Sequence, residues 1–180
     1  MRYLVLIIVT MPIPGCGGSR PSQPSEPPHS FFFFVSTPND SIGQGRSRRF
    51  DAPASPFQAI ALCGGNHLHI VVNDRYDPTG WFIDFGAPAG ESLRPGTYSR
   101  AAGWPFQASN QAGIRIGGEG RECGHIAGEF TVQSADFGSD GTVSQFRATF
   151  GQRCQGGSAG LTGEIAVVSA SLMTMPWTCP

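Results

Sequence analysis

Glycine and proline cut this chain into apolar runs of only five to ten residues, and that punctuation limits the fold to many short strands. No window of a dozen residues carries an apolar stripe at helical spacing, and the chain lacks lysine and is poor in leucine and glutamate, the residues that build helices. Strands are expected near 31–36, 46–50, 57–62, 67–73, 81–86, 96–101, 113–117, 127–135, 142–150 and 161–169, with at most one short helix near 101–111. The breaks have turn chemistry: Cys63-Gly64-Gly65-Asn66, Asp77-Pro78-Thr79-Gly80, Arg94-Pro95-Gly96 and Ser139-Asp140-Gly141 each supply a residue tolerant of positive φ or a proline that fixes it. The expected class is all-β, an antiparallel sandwich or flattened barrel of about nine or ten short strands stapled by disulfides.

Alternation along the runs assigns faces. Leu68, Ile70 and Val72 point to a core while His67 and His69 point away from it, onto a strand face expected to meet solvent. Phe130 and Val132, then Phe146, Ala148 and Phe150, are likewise core positions. The unbroken Phe31 to Val35 run suits a strand covered on both faces.

Ahead of this region lie Arg2, an apolar stretch from Tyr3 to Ile13, and Ile13-Pro14-Gly15-Cys16. A basic start, a short apolar core and a small residue describe a secretory signal, and the core is too short to span a bilayer. Ile13 to Cys16 resembles the lipobox of bacterial lipoproteins, from which Pro14 is the chief departure. The resemblance implies cleavage before Cys16, acylation of its thiol and freed amine, and anchoring in the cell envelope. Gly17 stands where lipoproteins retained at the inner membrane carry aspartate, so the resemblance favours the outer membrane in a two-membrane cell. The competing reading is an ordinary signal peptide cleaved nearby, with Cys16 either discarded or left as an unlipidated thiol. The division is then 1–15 signal, 16–30 lipidated cysteine with a Pro/Ser-rich tether, and 31–180 a single domain. The body loosely resembles extracytoplasmic β-domains of bacterial proteins through Leu93-Arg94-Pro95-Gly96-Thr97-Tyr98, Gly120-Arg121-Glu122-Cys123 and Phe150-Gly151-Gln152-Arg153-Cys154, a likeness that implies no activity.

Setting Cys16 aside leaves four cysteines, which allow three pairings. Cys123–Cys154, flanking a hairpin, and Cys63–Cys179, pinning a C-terminal tail, are the favoured pair. Each closed loop is worth about 3–4 kcal/mol in the chain-entropy model.

A net charge of −1, from 12 basic and 13 acidic residues, provides no field to recruit nucleic acid. Without lysine there is neither a Schiff-base nor a phosphate-loop lysine, and nothing calls for a cofactor. His67-Leu68-His69 places two imidazoles on one side of a strand, where they could share a cation; two ligands do not complete a site, and His125 joins them only if its loop folds over. Carboxylates, Asp84 and Glu129 among them, are scattered, and no motif pairs two of them for hydrolysis. Trp104-Pro105-Phe106, with Gln107 and Asn110 nearby and Tyr98 upstream, suits a sugar face or a peptide, or else plugs the open end of the fold. The expectation is a non-catalytic binding or envelope-structural module, its partner an envelope protein, peptide or glycan; a small envelope hydrolase or metal-binding protein is the alternative.

The anchor is testable without a structure: Cys16→Ser is expected to move the protein from the membrane to the soluble fraction, since acyl chains supply the membrane affinity. A variant that still sediments with membranes contradicts the lipoprotein reading.

Overall fold

The computed structural model describes residues 28–74, 77–154 and 156–172. Cys16, Cys179 and the signal and most of the tether lie outside these residues, and with Cys179 the expected Cys63–Cys179 pairing. Within them the chain forms eleven strands: β1 Phe31–Ser36, β2 Ser47–Asp51, β3 Phe57–Leu62, β4 His67–Val72, β5 Trp81–Gly86, β6 Gly96–Gly103, β7 Gly113–Gly118, β8 Ile126–Phe137, β9 Val143–Cys154, β10 Gly160–Val168 and β11 Ser171–Leu172. Among the described residues the only helical element is a 3-10 turn at Cys63–Gly65. The short helix expected near 101–111 is absent: Ala101 to Gly103 complete β6, and turns follow.

The all-β class holds, but the architecture is one curled sheet ordered β11-β3-β4-β5-β7-β6-β8-β9-β10-β1-β2, not two separate antiparallel sheets. It is mixed, because β6 pairs parallel with β7 and β11 parallel with β3. The physical reason lies at β7. Its parallel contact with β6 covers only Ala102↔Gly113 and Gly103↔Ile114, because β6, paired with β8 from Gly96 to Ala102, reaches β7 only at its last two residues. Beyond Ile114 the buried backbone of β7 needs another partner, and Gln152 of β9 supplies it. The Ile116 N–H donates to Gln152 Oε1 and Gln152 Nε2 donates to the Ile116 carbonyl, both at 2.8 Å. A side chain thus replaces a missing strand.

The curl brings inner faces together. Trp81 packs against Phe32, Phe34 and Phe50, and Phe85 against Phe130 and Phe146, in a core that also holds Leu68, Ile70, Val72, Val132, Ala148 and Phe150. Both ends of the sheet are tied back. The Ala61 N–H of β3 donates to the Gly141 carbonyl in the β8–β9 turn at 2.9 Å. At the other end Glu119, just past β7, accepts from Arg46 at 2.7 Å and lies 3.4 Å from Arg48 of β2, while Arg121 donates to the Ile42 carbonyl at 2.7 Å. The expected Cys123–Cys154 bond forms, fastening the β7–β8 loop to the end of β9.

One face assignment and one boundary need correction. Phe32 and Phe34 are buried, but Phe31 and Phe33 are half-buried and Val35 is exposed, so β1 is covered fully on one face only. Arginines 49 and 147 lie over the Phe31 ring in place of a second layer. Ser30, assigned to the tether, is already buried; its hydroxyl donates to the Val168 carbonyl and accepts from the Val168 N–H.

Gln152→Leu keeps the side-chain bulk and strands two buried backbone groups of Ile116. It is expected to cost about 2–4 kcal/mol in urea unfolding. A loss below about 0.5 kcal/mol would mean the glutamine is not what completes β7.

Candidate functional site

Strands β4 and β5 form a hairpin whose register sets His67 opposite Gly86 and His69 opposite Asp84, while β7 places Arg115 opposite Asp84 on the other side. Period-two alternation then puts His67, His69, Asp84 and Arg115 on one face, turned away from the aromatic core. His67 Nε2 lies 2.8 Å and His69 Nδ1 2.7 Å from Asp84 Oδ1. Arg115 donates from Nε and Nη2 to Asp84 Oδ2, both at 2.9 Å. An ionised carboxylate only accepts, which assigns the bridging protons to His67 Nε2 and His69 Nδ1. Burial by itself would raise the Asp84 pKa; hydrogen bonds from His67 and His69, joined by the electrostatic influence of His69 and Arg115, outweigh it and hold the carboxyl well below its usual range.

This face is not the solvent-facing strand expected of it. His67, His69 and Asp84 are all buried. The cover over His67 is Trp104, whose ring stacks on the imidazole with centroids 4.1 Å apart and planes 23° apart. Glycines make the seat: a Cβ at Gly86 would come within 2.5 Å of the Trp104 ring, and one at Gly113 within 2.9 Å. Arg115 alone of the four is partly open, beside a hollow of about 340 Å³ also lined by Trp104, Phe106 and Glu122.

The expected ligand-binding aromatics therefore separate. Trp104 is buried and plugs the outer face. Tyr98 stacks on Phe130 at 4.6 Å, and its hydroxyl accepts from the Arg94 N–H and donates to the Arg94 carbonyl. Phe106 remains, 87% exposed, at the tip of the turn that carries Trp104.

Phe106 borders a groove of about 1060 Å³ on the outer face of β6, β8, β9 and β10. Register places Ala102, Ala127, Arg153 and Gly160 in one row and Glu129, Gly151 and Thr162 in the next. His125 lies here, on the groove and outside the His67–His69 cluster. Arg100 stands on the rim at a β-bulge with φ of 54°, its carbonyl accepting from Gln111 Nε2 at 2.6 Å.

The ligand atoms of His67, His69 and Asp84 lie within 4.8 Å of one another, the one such cluster among the described residues. Their spacing is that of hydrogen bonds. Zinc held at about 2.0–2.1 Å keeps tetrahedral ligands roughly 3.3 Å apart, and a divalent ion would share its carboxylate with the Arg115 cation. Chemically the cluster is a neutralised buried network that fixes β4, β5 and β7 and seats Trp104. Asp84 was visible in the sequence only as one of several scattered carboxylates; the Asp77-Pro78-Thr79-Gly80 turn, which sets the hairpin register, is the signal that joins it to His69. The groove had no sequence signal beyond Phe106, because its floor is small residues drawn from four strands. Comparison with known protein families, with curated proteins and with solved structures gives no match to this chain.

Asp84→Asn removes the charge that balances Arg115, and because Arg115 can still reach Glu122 at 3.3 Å the cost is expected near the low end of a broken buried pair, about 3 kcal/mol. The folded-state pKa of Asp84 lies below its ordinary value of 3.8, so its stabilisation is present above pH 3.8 and drains away as the pH falls toward the folded-state value. Unfolding measured from pH 6 to pH 2 is therefore expected to show a flatter acid limb in the variant than in the parent. Identical limbs would remove Asp84 from the network.

Proposed function

We propose that the chain is a lipid-anchored extracytoplasmic protein whose domain binds a ligand in the groove over β6, β8, β9 and β10 without catalysis. The observation that carries this reading is the contrast between two faces. His67, His69 and Asp84 are buried, with Trp104 stacked on His67, and the Asp84 carboxylate is fully engaged by four donors, whereas the groove is open and bordered by an exposed aromatic. An isolated large apolar side chain at such a rim suits recognition, where burial on binding repays its exposure. The lipobox-like Cys16 and the tether support anchoring, and the Cys123–Cys154 bond suits an oxidising compartment. A cell-envelope address follows, the outer membrane favoured where there are two.

Metal binding at His67, His69 and Asp84 is a second reading, favoured by the convergence of their ligand atoms. Stoichiometric zinc in the purified protein, lost in His67→Ala with His69→Ala, would move the function to that cluster.

Phe106 and Trp104, two residues apart, separate recognition from structure. Phe106→Ala is expected to leave the melting temperature within a few degrees while abolishing retention of envelope material on the immobilised protein. Trp104→Ala is expected to cost about 3–5 kcal/mol as a buried aromatic deletion does. Retention unchanged in Phe106→Ala would end the binding-module reading at this groove.

A further inference from the structure

The chemistry of the groove narrows what it holds, on the reading that it is a binding site. Extended peptides dock on sheets by pairing with an unsatisfied strand edge. The groove offers none: β8 is hydrogen-bonded to β6 and β9, β9 to β8 and β10, and β10 to β9 and β1, while the stretch of β6 before Ala102 that lacks a β7 partner has its open edge on the side away from β8, β9 and β10. Recognition must come from side chains and from a flat floor. That floor is Ala102, Ala127, Gly151 and Gly160, shallow enough for a ring to lie on, with Phe106 standing beside it as a plane for the C–H face of a sugar.

Charge supplies the second constraint. Arg100 and Arg153 border the groove, both exposed, and neither forms an ion pair among the described residues, although most other arginines described here are engaged with a carboxylate. Glu129 is the one carboxylate on the lining, so fixed charge is two positive to one negative. Arginine matches carboxylate geometry with two parallel donors, a fit lysine lacks. We propose that the groove binds an acidic polysaccharide, a glycan strand bearing carboxylates, with its rings across the Ala/Gly floor and Phe106 and its carboxylates on Arg100 and Arg153.

Titration calorimetry of the mature protein against an oligogalacturonate, a neutral galactan oligomer of equal length and polyglutamate separates the possibilities. Binding is expected for the oligogalacturonate alone, weakening as salt is raised. Arg100→Gln and Arg153→Gln are each expected to weaken it roughly tenfold, with thermal stability unchanged since neither side chain is buried or paired. Equal affinity for the neutral oligomer, tighter binding of polyglutamate, or indifference to both arginine changes would each overturn the acidic-glycan assignment. If Phe106 is needed to retain envelope material but the arginines are not, this inference falls and the binding-module reading stands; if none of the three matters, both fall.

Discussion

A sheet that no helix covers among the described residues must bury its apolar face against itself, and the rest of this molecule follows from that constraint. Eleven strands in one sheet can do so only by curling, and curling costs hydrogen bonds where neighbouring strands part company. The parting point here is β7, and Gln152 closes it from across the core. The clamps at Ala61–Gly141 and around Glu119 then keep the two ends of the sheet from opening. None of these contacts is large alone; together they replace the second layer.

The same constraint explains why the outer face is uneven. Over β4, β5 and β7 it carries a carboxylate, two imidazoles and a guanidinium that must satisfy one another, because Trp104 shuts out water above His67. Over β6, β8, β9 and β10 it carries alanine, glycine and threonine with no cover. One turn serves both regions: its buried tryptophan sits on the network and its exposed phenylalanine leans beside the groove. The rigidity of the first region is what gives the second a fixed rim.

Much of the strand pattern was legible because period-two alternation and Gly/Pro turns are local signals; the expected β3 and β5 match the observed Phe57–Leu62 and Trp81–Gly86. Phe146, Ala148 and Phe150 fall on the core face for the same reason. The curled sheet was not legible, since the parallel pairing of β6 with β7 rests on two residue pairs far from any local pattern. His67 and His69 were placed in solvent because alternation identifies a second face without saying what lies over it. Trp104 lies over it, and that contact depends on glycines at 86 and 113 in two other strands. Tyr98 stood out by composition, as an aromatic in a polar stretch, and sequence could not show that its ring stacks on Phe130 and its hydroxyl binds the Arg94 backbone.

The thin junction between β6 and β7 divides the sheet unequally in a way that matters for its dynamics. On one side stand β11, β3, β4, β5 and β7; on the other β6, β8, β9, β10, β1 and β2. Within the sheet, two pairs of backbone partners and one glutamine side chain join them, while each half is laddered internally along its strands; the Ala61–Gly141 and Glu119 clamps, the Cys123–Cys154 bond and the shared core tie the halves together elsewhere. Cooperative units of partial unfolding follow such seams. Opening along this seam would expose the aromatic faces of Trp81 and Phe85, which pack against Phe32, Phe34, Phe50, Phe130 and Phe146 of the other half.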